Sequence, residues 1–207
     1  NDIKSKAYLS LADIYKELKK PEESIDYLQS AIKTTKNRNQ KGIISNKLAE
    51  MAYEKNDLGL ALQGYEMVTA FSLSKKNIEN AHLQMLRIYR VQNKYKKATR
   101  KIKSMLTDDK FNSIAGNLEL ELVQLYRAQG ETSEVETRLG SIVNDYQRTL
   151  VSAEAYFQLG QIYSKEKWNL SKAKEYFTQV NKESSKSIYS SVARGNFDAI
   201  SLYEKTE

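Results

Sequence analysis

Apolar residues recur at spacings of three and four through most of the chain, interrupted by short polar runs. The clearest stretch is Ala153 to Val180, AEAYFQLGQIYSKEKWNLSKAKEYFTQV. Tyr156, Leu159, Gly160 and Tyr163 fall on one side of a first helix, and Ala173, Phe177 and Val180 fall on one side of a second. Each helix alone has half a core, so the two are predicted to pack as an antiparallel hairpin. Gly160 lets the partner come close, Ala173 answers it, and aromatic rings fill the remaining space.

The same pattern returns four times upstream, with units starting at Ser5, Gly42, Glu79, Gly116 and Ala153, an interval of about 37 residues that suits helical repeats. The first unit carries Tyr8, Leu11, Ala12 and Tyr15, then Ser24, Leu28 and Ala31; the second carries Leu48, Ala49 and Ala52, then Ala61, Tyr65 and Val68. In the third stand His82, Met85, Leu86 and Tyr89, then Ala98, Ile102 and Met105. In the fourth stand Leu122, Val123 and Tyr126, then Val135, Leu139 and Ile142. Leu86 and Val123 occupy the place held elsewhere by Ala or Gly, which predicts wider helix separation in those units and a bent superhelix.

Pro21, followed by Glu22 and Glu23, marks the start of a second helix, because proline costs least there and acids favour the positive end of the helix dipole. Lys19, Asn56, Asn93, Gly130 and Lys167 stand where each hairpin needs a left-handed residue, with one extra residue in the fifth turn near Trp168. Lys36 to Asn39, Ser74 to Asn77 and Asp108 to Lys110 read as short polar connectors. Ile188 to Tyr203 is predicted to be one helix, within a cap at 187–205, that covers the apolar side of the fifth unit.

This succession of aromatic, Leu, Gly and Tyr, then Ala, Phe and a final apolar residue, resembles the tetratricopeptide repeat. The resemblance implies an all-α, right-handed superhelical α-solenoid: one array over 1–207 with units at about 5–41, 42–78, 79–115, 116–152 and 153–186, then the cap. It also implies a non-catalytic scaffold that holds a peptide or helix of another protein in a concave groove lined by first helices. Carrying the family's inward-facing positions onto this sequence points to Asp13, Asn46, Lys47, Glu50, Tyr53, Gln84, Arg87, Arg90, Gln124, Arg127 and Gln161. Arg87, Arg90 and Arg127 either receive carboxylates in a bidentate manner or pair with neighbours such as Glu50 and Glu121. The family's clamp for a C-terminal carboxylate needs a Lys and Asn pairing in the first unit; Leu9 and Asp13 stand there instead, so that activity is not implied. The fifth unit and its tail are similar to tetratricopeptide lipoproteins of the bacterial cell envelope, whereas the earlier units are more like arrays in bacterial regulatory and sensor proteins.

Composition agrees with a helical protein. Charged residues make up 29% and hydrophobic ones 40%, with one proline and eight glycines in 207 residues. There is no cysteine, which excludes disulfides and thiolate chemistry and suits cytoplasm and periplasm equally. No run of about eighteen apolar residues occurs, so nothing here is expected to span a membrane. The chain opens at Asn1 without a methionine and reads as a segment of something longer.

Catalysis has little support. His82 is the single histidine and takes an aromatic packing position, which leaves no metal cluster and no serine triad. The Glu119/Glu121 and Glu134/Glu136 pairs lie two apart and point in different directions, and no phosphate-binding glycine motif occurs. No enzyme activity and no cofactor are expected. Trp168 either covers the end of its hairpin or is an exposed anchor for a partner.

Charge changes the picture in one place. From Lys75 to Lys110 eleven basic residues face Glu79, Asp108 and Asp109, so this stretch carries about +8 and the rest of the chain is close to neutral against the overall +7. Lys94, Lys96, Lys97, Arg100, Lys101 and Lys103 gather around one second helix. They are either a solvated face or an electrostatic patch for nucleic acid, anionic lipid or an acidic protein, with a partner protein or peptide favoured over nucleic acid.

Overall fold

The polar runs between units turn out to be helix starts as much as connectors. Asn37 caps a helix by accepting from Gln40 N at 2.9 Å, and Ser74 does so from Asn77 N at 3.3 Å. Most of the residues expected to be loop therefore already belong to first turns, since such a cap stabilises a helix by about 1 kcal/mol. Asp108 similarly caps a short 3-10 helix, Asp109–Ile114. A computed structural model describes residues 2–206, and among them eleven α-helices occur and no strand. They are α1 (Asp2–Glu17), α2 (Pro21–Thr34), α3 (Arg38–Glu54), α4 (Leu58–Phe71), α5 (Lys75–Val91), α6 (Tyr95–Leu106), α7 (Ala115–Gln129), α8 (Thr132–Asp145), α9 (Leu150–Lys165), α10 (Leu170–Glu183) and α11 (Tyr189–Thr206). Pro21 opens α2 with Glu22 and Glu23 in its first turn, as predicted.

The turns follow the expected chemistry with one correction. Lys19, Asn56, Asn93 and Gly130 all have positive φ, between 56° and 76°. In the fifth hairpin it is Trp168, at φ 50°, and not Lys167, that takes this conformation. The extra residue in that turn moves the left-handed position one step along. Trp168 is 73% exposed, so it does not cover the hairpin end.

The chain forms two compact units, Asn1–Tyr95 and Lys96–Glu207. In the first, α1 packs on α2 and α3 on α4, while α2 meets α3 and α4 meets α5. Buried Leu28, Ala31 and Ile32 of α2 share one core with Ile44, Leu48 and Met51 of α3, so successive hairpins complete each other. Ser24, at the small position of α2, is fully buried and donates its hydroxyl to Ala12 O at 2.7 Å. α3 and α4 approach closely: a Cβ on Gly64 would lie 2.8 Å from Ala49 Cβ and 3.0 Å from its Cα.

In the second unit α9 and α10 form the tightest pair. Here the group that fills the space over Gly160 is the ring of Phe177 and not Ala173: a Cβ on Gly160 would lie 2.5 Å from Phe177 Cε1. Phe177 also lies 6.0 Å from the ring of Phe157, which stacks at 4.9 Å on Tyr189 of α11. Tyr189, Ala193, Phe197 and Ile200 bring α11 onto the core of α9 and α10, as a cap requires. Val123, fully buried at the small position of α7, accompanies a less extensive contact between α7 and α8 than between α9 and α10.

Two pairs of substitutions test this packing. Gly64→Ala is expected to lower stability to urea by about 1–3 kcal/mol through overpacking. Gly140→Ala in α8, where nothing lies within 4 Å of the new methyl, raises it by up to about 1 kcal/mol. Equal effects would mean that α3 and α4 are not held at this distance. Trp168→Gly is expected to stabilise by about 1 kcal/mol, as relief of a bulky left-handed residue. Lys167→Gly, which loses an ion pair to Glu136, destabilises instead; the same thermal melts read both.

Candidate functional site

The first helix of each hairpin, α1, α3, α5, α7 or α9, carries polar side chains on the side turned away from its core. In the first compact unit these are Asp13 on α1, then Asn46, Lys47, Glu50 and Tyr53 on α3, then Gln84, Arg87 and Arg90 on α5. Several are engaged. Lys47 Nζ donates to both oxygens of Asp13, at 2.8 and 3.0 Å, and Asn46 Nδ2 donates to Glu50 Oε1 at 2.8 Å. Lys47 is therefore a strut between α1 and α3, half exposed, and less available to a partner than its position in the sequence implies.

Tyr65 of α4, expected only as packing, sits at the centre of a small constellation. Its side chain is buried, and burial is the main reason its phenol is pushed up to about 12. Glu50 and Tyr53 push it further in the same direction and Arg87 pulls it down, so residues from α3 and α5 act on one hydroxyl. Arg87 is exposed, and Tyr53 is 37% exposed.

In the second unit the structure brings together Gln124, Arg127 and a residue absent from the sequence-based set, Gln158 of α9. Gln124 Nε2 donates to Gln158 Oε1 at 3.3 Å, and Arg127 Nη2 donates to the same oxygen at 3.2 Å. Gln158 Nε2 in turn donates to Glu154 Oε1 at 3.1 Å. Gln158 is 8% exposed and is the hub of this row, with half-buried Gln161 one turn further along α9. A signal was present in the sequence. Lys47 and Gln158 each stand 34 residues after their partners Asp13 and Gln124, so Gln158 occupies the register of Lys47.

Arg127 also borders a cavity of about 410 Å³ whose other walls include Thr132, Val135, Glu136, Ile162 and Lys167. Glu136 accepts from Lys167 and from the hydroxyl of Tyr163, and these two hydrogen bonds hold its carboxyl below the usual range. Lys172 Nζ donates to Tyr163 Oη at 3.0 Å and its pKa is raised by that bond. This network ties α8, α9 and α10 together.

The basic residues are divided by the fold. Lys94 lies in the turn before α6 and belongs to the first compact unit; the others lie on α6 in the second. Lys96, Lys97, Arg100 and Lys103 are exposed and Lys101 is half-buried. His82 is half-buried on α5. Among the described residues no group of three or more His, Cys, Asp or Glu is placed to hold a metal, and no helix is long and apolar enough to cross a membrane.

The tetratricopeptide repeat family matches residues 5–38 and 153–186. No curated protein sequence matches the chain. Among solved structures, MamA from Desulfovibrio magneticus RS-1 superposes with a TM-score of 0.58 at 16% identity, over 87% of this chain and 94% of that one. A putative kinesin light chain from Podosopora anserina, with nearly identical TPR-like repeats, gives 0.56 at 16% identity over 90% and 97%. YrrB, described as a TPR protein with an unusual peptide-binding site, gives 0.50 at 12% identity over 91% and 90%. At these identities the likeness is one of fold. The chain thus carries the tetratricopeptide repeat at its first and fifth hairpins, and its fold is that of solved tetratricopeptide-repeat structures.

Proposed function

We propose that this chain is a non-catalytic scaffold that holds an extended segment of a partner protein against the polar faces of its first helices. The observation that carries the reading is the row formed by Gln124, Arg127, Gln158 and Gln161. Carboxamides both donate and accept, as the peptide backbone does, so a row of them on adjacent helices suits a main chain with little regard to its sequence. Arg127 adds a fork that receives a carboxylate in two parallel bonds. Glu50, Tyr53 and Arg87 around Tyr65 offer a second, more selective set of contacts in the first unit. Support also comes from YrrB, whose description as a peptide-binding TPR protein concerns a chain of the same fold. Protein–protein interaction is the general role of such repeats, and catalysis is not.

Peptide display against the whole chain tests the reading. Recovered peptides are expected to lose about tenfold in affinity, roughly 1.4 kcal/mol, when Arg127→Ala and Gln161→Ala are combined. Peptides that bind both forms equally would move the site elsewhere. The constellation around Tyr65 is checked by alkaline titration of tyrosinate absorbance. Tyr65→Phe should remove the transition that occurs near pH 12, and Glu50→Gln should shift it to lower pH. Because the folded value is raised above that of the unfolded chain, the stability associated with Tyr65 is complete below pH 10 and is lost as pH rises towards 12.

A further inference from the structure

One helix of the second compact unit is built of unusual material. α6 reads YKKATRKIKSML: five cations and no acid in twelve residues. Ala98, Ile102 and Met105 are buried, which fixes the rotation of the helix. Lys96, Arg100 and Lys103 then stand at spacings of four and three along one exposed stripe, spread over about 10 Å of helix, with Lys97 and Lys101 about 100° further round. Like charges at such spacings repel and weaken a helix.

Elsewhere in this unit cations are relieved by carboxylates: Arg138 by Glu119, Lys167 by Glu136 and Lys174 by Glu204. Lys96, Arg100 and Lys103 have no carboxylate within ion-pair distance among the described residues. They do not simply face open solvent. Together with Thr99 they form one wall of a groove of about 460 Å³, and Tyr126, Gln129 and Glu131 form the other. Tyr126 is half-buried and packs against the core of the unit, so it supplies a fixed aromatic surface beside the three cations. Gln129 spends its Nε2 on Leu125 O at 3.0 Å, which leaves its Oε1 for an incoming N–H group.

We propose that this groove is a binding site for an acidic peptide segment, with carboxylates on Lys96, Arg100 and Lys103 and an apolar or aromatic side chain against Tyr126. The site is distinct from the first-helix faces and does not rest on them. An acidic peptide is favoured over nucleic acid by two features. The unpaired cations span only about 10 Å, a short track for a phosphate backbone, and Glu131 stands in the facing wall, where it repels phosphates but accepts from a peptide N–H.

The test uses the whole chain and a fluorescein-labelled peptide, Glu-Phe-Glu-Glu-Phe-Glu, with a duplex DNA of mixed sequence as the competing probe, both followed by anisotropy at low and at raised salt. The peptide is expected to bind and to weaken several-fold with added salt. Reversal of Lys96, Arg100 and Lys103 to Glu should cost at least tenfold, and Tyr126→Ala about threefold, whereas reversal of Lys97 and Lys101 should cost less than twofold. The milder Lys96→Gln, Arg100→Gln, Lys103→Gln variant should fall between, and circular dichroism confirms that each variant is folded. No binding of the peptide overturns the proposal. So does tighter binding of the duplex with equal dependence on both flanks, which would assign α6 to nucleic acid. Peptides that require Arg127 and Gln161 but ignore these reversals occupy the first-helix faces, and the groove is then not a site.

Discussion

A two-helix hairpin of this length cannot hide both of its apolar stripes within itself. α2 buries Leu28 and Ala31 only because α3 brings Ile44, Leu48 and Met51 to the other side, and α10 buries Phe177 and Val180 within a core that α11 closes with Ala193 and Phe197. Burial is therefore a property of neighbours, worth about 25 cal/mol per Å² of apolar surface wherever two units meet. Everything polar follows from it. Once the second helix and the next first helix have claimed the apolar sides, one side of each first helix is left for Asp, Lys, Gln, Glu and Arg, which is where the candidate site lies.

Most of the fold was legible because this constraint writes itself into the sequence at a fixed interval. Ala12, Ala49, Leu48, Val68, Ala98, Leu139, Ala173 and Val180 were all expected inside and all are buried. What could not be read was which atom fills a given gap. Gly160 announced a close approach, but periodicity puts Ala173 and Phe177 on the same stripe of α10, four residues apart, and does not say which of them reaches it. The fifth turn failed for a similar reason: the extra residue was visible, but its effect on which of Lys167 or Trp168 turns left-handed was not. Connectors rich in Asn, Ser and Lys read as loops, yet Asn37 and Ser74 act as caps and the residues after them are already helical.

The candidate site was less legible than the core, since polar side chains have choices that apolar ones lack. Lys47 was expected to face a partner, and it bonds Asp13. Gln158 was passed over, and it gathers Gln124, Arg127 and Glu154. Both facts are one fact, because Lys47 and Gln158 hold the same register, one that looks across to the preceding first helix. A register defined by inter-unit bonds needs two repeats to be compared at once, whereas a face is visible within one.

The same comparison separates two kinds of surface in this chain. On the first-helix faces several polar groups are already bonded to one another, Lys47 to Asp13 and Gln158 to Gln124 and Arg127, so a partner gains there mainly by exchanging bonds of similar strength, and net affinity per contact is small. On α6 the cations repel one another, and Lys96, Arg100 and Lys103 have no carboxylate within ion-pair distance among the described residues, so an incoming carboxylate relieves that repulsion and displaces no existing ion pair. Electrostatic attraction of this sort acts at a distance of roughly one Debye length, about 8 Å at physiological salt, and raises encounter rates before any contact forms. If both proposed sites operate, they divide the labour by chemistry: the hydrogen-bonded faces would discriminate by shape and bond pattern, and the cationic helix would recruit.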